Sequence, residues 1–519
     1  MNGAEVLLRT LCGNGINVCF ANPGTSEMHF VAATDRVPEM RCVLGLFEGV
    51  ATGAADGFGR MLDRPAATLL HLGPGLANGL SNLHNAIRAR SPVVNIIGDH
   101  ATFHRALDAP LTSDIEGTAR PFSHWVRTSS GPQSIATDTV AAIAAARSSL
   151  GQIASLIVPA NATWQQATSP PLVAGQAEQY IVPPHKPDDS VIAAVAAALQ
   201  GSGTSAIVLG GHALRGRSFD LASRIAAATG ARLLAQTYAA RIERGAGRPI
   251  VERIPYAVDQ AASLLAPYSK IVLIGTKAPV AFFAYPDHRS QLTSPGATIF
   301  ELAGVADDAA YALEALTEHL GARRTEPITA ELSRPARPVG AITAEKIGTL
   351  LAAALPENAI VVDESITSGR TFLAATRSAL PHDWLLPTGG SIGFALPLAV
   401  GAAIACPDRK VIALESDGSG MYMPQTLWTH ARESLNILTI VFANRKYQIL
   451  RQEMSRMGVQ TIGPKASDLL DIERPEIDWQ GLSRSLGVRS TKVTTMEEFS
   501  AKIDSALAEA GPFLIEAAL

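Results

Sequence analysis

The feature that most constrains this chain is a rhythm of short apolar strand, Gly- or Pro-bearing turn and amphipathic helix, recurring in three successive blocks. Residues 1–165 carry LLRTLCGNG then INVCFANPG, RCVLGLFEG then VATGAADGFGRML, and AATLLHLGPG followed by SNLHNAIRARSPVVNIIGD. Residues 188–330 repeat the pattern through SVIAAVAAALQG, SAIVLGG, ARLLAQ, KIVLIG and ATIFEL, and residues 341–519 through AITAEKIGTLLAAAL, AIVVDE, KVIALES and LNILTIVFAN. Such alternation predicts parallel sheets wrapped by helices. Two proline-bearing stretches, 166–187 with SPPLV and VPPHKPD and 331–340 with SRPARPVG, read as linkers. The expected fold class is therefore α/β, with three consecutive domains (1–165, 188–330 and 341–519), each a central mostly parallel sheet flanked by helices. A length of 519 residues exceeds what one hydrophobic core organises.

A formal net charge of −4 leaves no basic footprint for nucleic acid or anionic membranes. No stretch approaches the run of about 18 apolar residues that a membrane span needs. The N-terminal MNGAEVLLRTLCGNG, with an acid at Glu5, reads as a helix and not as a signal peptide. Cys12, Cys19, Cys42 and Cys406 are scattered without CxxC spacing, which suits a reduced, cytoplasmic protein without zinc. Partners are expected among small molecules and sister subunits.

The segment from Asp417 to Asn444 carries the clearest chemistry. One apolar strand ends at Ser416 and delivers Asp417 to its carboxyl end; after a Gly-bearing turn and a helix, LNILTIVFA ends at Asn444. If the two strands are parallel neighbours, both residues meet at the crest where open α/β sheets bind ligands. An Asp carboxylate, an Asn amide oxygen and a backbone carbonyl just beyond are hard donors, as Mg²⁺ prefers when diphosphate oxygens complete its shell. Gly418 lets backbone approach the phosphates. The plainer alternative is a strand end with an N-capping Asp. Glu48, after an apolar strand and ahead of a small-residue helix, is expected to be partly desolvated; its plainer alternative is an acid stabilised by the helix dipole.

The DGS…N arrangement, together with ANPGTSEMHF (21–30), the Glu48 segment LGLFEGVATGAADGFGR, HLGPGLANGLSNLHNA (71–86), ARPFSHW (119–125) and TGGSIGFALPLAVGAA (388–403), resembles the thiamine-diphosphate-dependent family of acetolactate synthase, benzoylformate decarboxylase and pyruvate decarboxylase. The match spans nearly the whole chain, with Ser416 where the family usually has Gly. The resemblance implies thiamine diphosphate and Mg²⁺ as cofactors, with the metal held by Asp417, Asn444 and the carbonyl of Lys446. Gly390, Gly418 and Ser419 would contact the cofactor, Ile392 would prop it in its bent form, and Glu48 would be the activating acid. It also implies at least a homodimer, often a homotetramer, because the family's site draws on two subunits.

Comparison with benzoylformate decarboxylase places Ser26 and His71 at the reaction face. A hydroxyl there can hold a carboxylate and an imidazole can move protons; an N-cap and a core histidine are the plainer alternatives. Leu111 and Ala284 stand where relatives carry a glutamine and a second histidine, which makes the expected pocket more apolar. The glycine turns GGHALRGRS and GTKAPV read as plain turns, so FAD, bound by the middle domain of acetolactate synthases, is not expected. The implied activity is decarboxylation of a 2-oxo acid, ending in an aldehyde or, with an aldehyde acceptor, a 2-hydroxy ketone. Alternatives are a lyase acting on hydroxy ketones or 2-hydroxyacyl thioesters, and a catalytically silent homologue serving as a binding subunit.

Overall fold

The computed structural model describes residues 1–173 and 175–519. Its first sheet contains β1 (Val18–Asn22), β2 (Arg41–Leu44), β3 (Ala66–Leu70), β4 (Val93–Asp99), β5 (Trp125–Thr128) and β6 (Ile153–Pro159). They pair in the order β2-β1-β3-β4-β6-β5, parallel throughout. The second sheet has the order β10-β8-β7-β11-β12, again parallel. Its strands are β7 (Ser205–Leu209), β8 (Arg232–Ala235), β10 (Glu252–Arg253), β11 (Lys270–Ile274) and β12 (Thr298–Ala303), while β9 (Ile242–Arg244) leaves it. The third sheet runs β17-β18-β16-β15-β13-β14-β9, from β13 (Ala359–Asp363), β14 (His382–Leu385), β15 (Val411–Ser416), β16 (Ile437–Ala443), β17 (Arg489–Val493) and β18 (Phe513–Ala518).

The central strands are buried on both faces, which is why AATLL, VVNIIGD and ILTIVFA read as continuous apolar runs and not as alternations. One strand breaks the parallel rule. Strand β9, from the middle block, adds antiparallel to the outer edge of β14, covering backbone groups that would otherwise face solvent. Arg241, just before β9, fastens the join at 2.7 Å to Asp383 of β14, a carboxylate that Arg409 also holds at 2.6 Å.

The first and third sheets share one core. Val18, Phe20 and Ile97 of the first pack in the same cluster as Ile360, Phe394 and Val441 of the third. The helix Glu48–Leu62 lies at the seam, and its small residues have a physical cause. A Cβ on Gly57 would stand 2.1 Å from the Leu398 carbonyl oxygen, and one on Gly401 1.8 Å from that of Ala54, so this helix and Ala395–Ala405 touch backbone to backbone. Within the seam Arg60 pairs with Asp56 at 2.7 Å, both fully buried. The same guanidinium donates to the carbonyls of Leu386 (2.7 Å) and Ala240 (3.3 Å), stitching the first block to the other two. An ion pair this dry is tolerable because nearly every donor is used. Among the described residues no helix is long and apolar enough to cross a membrane.

Candidate active site

Strands β15 and β16 are parallel neighbours, with Ser416 opposite Phe442, and their carboxyl ends carry Asp417 and Asn444 to one crest. Asp417 opens a single helical turn, Asp417–Gly420, and its carboxylate spans both strand ends by accepting the backbone N–H of Gly418 (2.9 Å) and of Arg445 (2.6 Å). It does not cap the turn through a side-chain bond of its own, because Ser416 occupies the N-cap position. Burial pushes the Asp417 carboxyl up to about 6 despite those amides and the Arg445 charge. The Asn444 side-chain oxygen accepts from the Lys446 N–H at 3.0 Å, which turns the chain so that Asn444 and Lys446 face the same space.

That space is a cavity of about 440 Å³, bordered by Asp417, Gly418, Ser419, Asn444 and Lys446 on one side and by Gly390 and Ile392 on the other. Its floor is bare backbone at two glycines. A Cβ on Gly418 would lie 2.6 Å from the Tyr447 ring, and one on Gly390, where φ is +73°, 2.6 Å from the Phe282 ring. A buried carboxylate, an amide oxygen and nearby backbone carbonyls fit a hard divalent cation, and the volume suits a cofactor-sized ligand. The serine at 416 sits in ordinary extended backbone (φ −98°, ψ 150°), and its hydroxyl donates to the Glu364 carbonyl at 3.0 Å. A side chain is accommodated there because it is spent on the neighbouring strand β13.

Two further acids at this crest escaped the sequence reading. Glu364, just past β13, lines the cavity and accepts the N–H groups of Gly393 (2.5 Å) and Ala395 (2.8 Å), thereby fixing the loop that presents Ile392. Burial lifts it to about 8, outweighing those amides. Glu415 is fully buried and pushed well above the carboxylate range, first by burial and then by Glu364; Ser419 donates to one of its oxygens, and the other has no partner. The sequence signal was present in the VVDES strand end. Only the strand order places it next to Asp417.

The first sheet builds a second group of residues. Glu48 begins its helix, is buried, and accepts from the Asn78 amide at 3.0 Å. Ser26 lies inside a short 3₁₀ turn, Thr25–Glu27, whose N-cap is Gly24, so the N-cap reading does not describe it. Its hydroxyl lies 3.3 Å from His71 Nδ1 and donates to Glu27 Oε1 at 2.8 Å. Glu27, another acid missed from sequence, is buried and holds His71 Nδ1 at 2.8 Å through its other oxygen, which also accepts the Gly24 N–H. Nδ1 is thus engaged, leaving Nε2 as the ring atom open to proton exchange. A Cβ on Gly24 would stand 2.2 Å from His71 Nδ1; only glycine lets the imidazole lie against that turn. Leu72, next in the chain, is held at φ +53°, a strained value for a non-glycine residue.

Within one chain the two groups stay apart: Ser26, Glu48 and His71 do not border the 440 Å³ cavity. Leu111 is exposed and outside it, on the loop whose Ser113 packs over Gly73. Ala284 is likewise exposed and outside; the middle block instead places Phe282 and Phe283 in the cavity wall. An apolar wall of this cavity comes from those two rings, and neither Leu111 nor Ala284 borders it.

Two family descriptions match this chain: "Thiamine pyrophosphate enzyme, N-terminal TPP binding domain" over residues 1–116 and "Thiamine pyrophosphate enzyme, C-terminal TPP binding domain" over residues 368–517. A Mycobacterium tuberculosis protein named "Putative acetolactate synthase large subunit IlvX" is 49% identical over 520 aligned residues, covering 99% of this chain and 98% of that protein. The benzoylformate decarboxylase of Pseudomonas aeruginosa is 28% identical over 99% of this chain and 97% of its own length. In fold, the chain superposes with a TM-score of 0.86 on a Rhodococcus jostii thiamine diphosphate-dependent 4-hydroxybenzoylformate decarboxylase, at 24% identity and covering 99% of this chain and 98% of the other. The N-terminal match contains Glu48 and His71 and the C-terminal match contains Asp417 and Asn444, and with a relative half-identical along its entire length this chain belongs to the thiamine pyrophosphate enzyme family.

Proposed function

We propose that this chain is a thiamine-diphosphate- and Mg²⁺-dependent enzyme that decarboxylates a 2-oxo acid and releases an aldehyde, or transfers the remaining fragment to a second carbonyl to give a 2-hydroxy ketone. The observation that carries the reading is the crest of β15 and β16, where Asp417, Asn444 and Lys446 face one cavity lined by bare glycine backbone. In that role Asp417, the Asn444 side-chain oxygen and the Lys446 carbonyl hold the metal. Gly390, Gly418 and Ser419 line the diphosphate, and Ile392 supports the bound cofactor. When bound, the cofactor supplies the electron sink that lets carbon dioxide leave.

The chain's own residues do the rest. Glu48, buried and carrying one amide donor, holds a proton at the aminopyrimidine end. His71, oriented by Glu27, moves a proton at the substrate oxygen through Nε2, and Ser26 positions the substrate carboxylate. The three-unit division at 1–165, 188–330 and 341–519, with linkers 166–187 and 331–340, belongs to the same reading and is supported by the three sheets.

The active form in this reading is a homodimer or homotetramer. Glu48 lies away from the cavity of its own chain, and the first block exposes Met28, Val31, Leu46, Phe103 and Leu107, apolar side chains of the kind that partners cover. The deciding experiment titrates the apo-protein with thiamine diphosphate and Mg²⁺ while following mass in solution. Metal-dependent saturable binding by an oligomer, followed by carbon dioxide release from a 2-oxo acid, is expected; absence of binding refutes the proposal.

A further inference from the structure

The cavity has a second end that the proposed chemistry leaves unexplained. Four rings of the middle block, Tyr238, Tyr256, Phe282 and Phe283, line it as a continuous cluster with successive centroids 5.4–6.4 Å apart. Two cations stand among them, Arg253 at the end of β10 and Arg370 after β13. Neither has a carboxylate partner among the described residues: Arg370 donates to the Gln452 side-chain oxygen, and Arg253 makes no side-chain hydrogen bond. The nearby acids are already committed. Asp363 accepts from Ser365 and from the Trp384 indole at 3.0 Å, while Glu453 takes the Tyr285 hydroxyl at 2.6 Å and pairs with Arg456.

Both guanidinium groups border the same cavity as the four rings, and both charges act on the Tyr238 hydroxyl. Among the described residues neither guanidinium hydrogen-bonds Asp417, whose carboxylate accepts only the Gly418 and Arg445 backbone N–H groups, so the arginine pair stays free to meet a ligand beside the rings. Burial also disfavours the Arg370 charge where it stands. Asp363 and Glu453 act on these cations only through space, and a cation in a partly dry, ring-walled recess with no direct ion pair is costly; a bound anion relieves that cost with charge-assisted hydrogen bonds. Planar guanidinium groups beside aromatic faces also favour a flat or extended apolar body between them.

We propose that the substrate of this enzyme is a dianionic 2-oxo acid, whose reacting end lies toward the metal crest while a second anionic group, carboxylate or phosphate, is held by Arg253 and Arg370. The inference rests on the function proposed above and adds the substrate class to it. No extra covalent step is implied: the second anion anchors, and it leaves with the product.

The test compares matched pairs on one preparation of holoenzyme: benzoylformate against 4-carboxybenzoylformate, and pyruvate against 2-oxoglutarate and 3-phosphonopyruvate. A kcat/KM preference of about 10-fold or more for dianions, residing mainly in KM, is expected from charge-assisted bonds. Arg253→Leu and Arg370→Leu should each collapse that ratio, and Arg253→Lys and Arg370→Lys should retain part of it. The ratio is internal to each variant, so partial misfolding does not imitate the result. Preference for the phosphonate over both dicarboxylates would identify the anion as phosphate-like, and the reverse as carboxylate. Equal turnover of monoanions and dianions, or a ratio untouched in both leucine variants, overturns the inference while leaving the decarboxylase reading standing. Calorimetry with terephthalate, which cannot react, separates the two failures. Binding that depends on both arginines, in a protein that releases carbon dioxide from none of the acids, would sink the activity and keep the anion site.

Discussion

The first and third sheets end in crests of the same kind, parallel strands delivering buried acids to their carboxyl ends, yet they are finished differently. The third crest encloses its own cavity: Asp417, Glu364 and Glu415 sit under loops of the same chain, with Phe282 and Tyr447 closing the space above. The first crest carries Glu27, Glu48 and His71 outside that cavity, in a block that leaves Leu46, Phe103 and Leu107 exposed. One crest borders a cavity of its own chain and the other does not. The contrast shows that Asp417 and Asn444 meet within one chain, whereas Glu48 and His71 lie apart from them; under the proposed function, a second copy would bring the two groups together.

The largest effect expected to test this contrast is at Glu48. Glu48→Gln should lower kcat by about 10²–10⁴-fold, the usual worth of a positioned proton-transfer group, while metal-dependent cofactor affinity measured by fluorescence titration changes little. Comparable losses in binding and turnover would place Glu48 among the anchoring residues and erase the division of labour. Asp417→Ala should do the opposite, weakening Mg²⁺ and diphosphate binding by more than about 100-fold, beyond what loss of an outer-sphere partner costs; binding intact to within a few-fold would remove the metal from this crest.

A pH titration sharpens the same point with an intermediate effect. The Asp417 carboxyl is raised to about 6 by burial, and a cation binds only its ionised form. Mg²⁺ affinity should therefore climb by about tenfold per pH unit below that value and level off above it. An affinity flat from pH 4.5 to 7.5 would contradict the assignment of this carboxylate to the metal. The smallest effect is expected at Ser416. Its hydroxyl makes one hydrogen bond, to the Glu364 carbonyl, so Ser416→Gly should cost about 0.5–1.5 kcal/mol in chemical denaturation and leave cofactor affinity within a few-fold. A large gain in affinity would show that the serine obstructs the site.

Much of the third crest was legible in the sequence because its logic is local. An apolar run fixes each strand, the residue after it is delivered to the carboxyl end, and two runs joined by one helix become parallel neighbours; Asp417 and Asn444 follow from that alone. Glu48 was legible for the same reason, as the first residue after a strand-to-helix turn. Glu364 was not, because the contact between β13 and β15 spans about fifty residues and no local pattern announces which acid will lie beside which. Glu27 was hidden by its own surroundings: it looks like an ordinary helix-start acid until His71 arrives from another strand. Ala284 drew attention through position in the chain, although the fold turned its neighbours Phe282 and Phe283 inward.

The amino-acid sequence by itself determined the α/β class and the strand ends that bear acids, because strand, turn and helix patterning repeats within thirty residues or so, and its motifs, through their resemblance to a known family, pointed to the cofactor. Only the tertiary structure decided which acids share a crest, that β9 crosses to the third sheet, that Arg60 joins three blocks, and that Arg253 and Arg370 border one cavity with Tyr238. Those outcomes depend on which distant segments bury each other's surfaces, and that choice is made by the packing of the whole chain and not by any stretch of it.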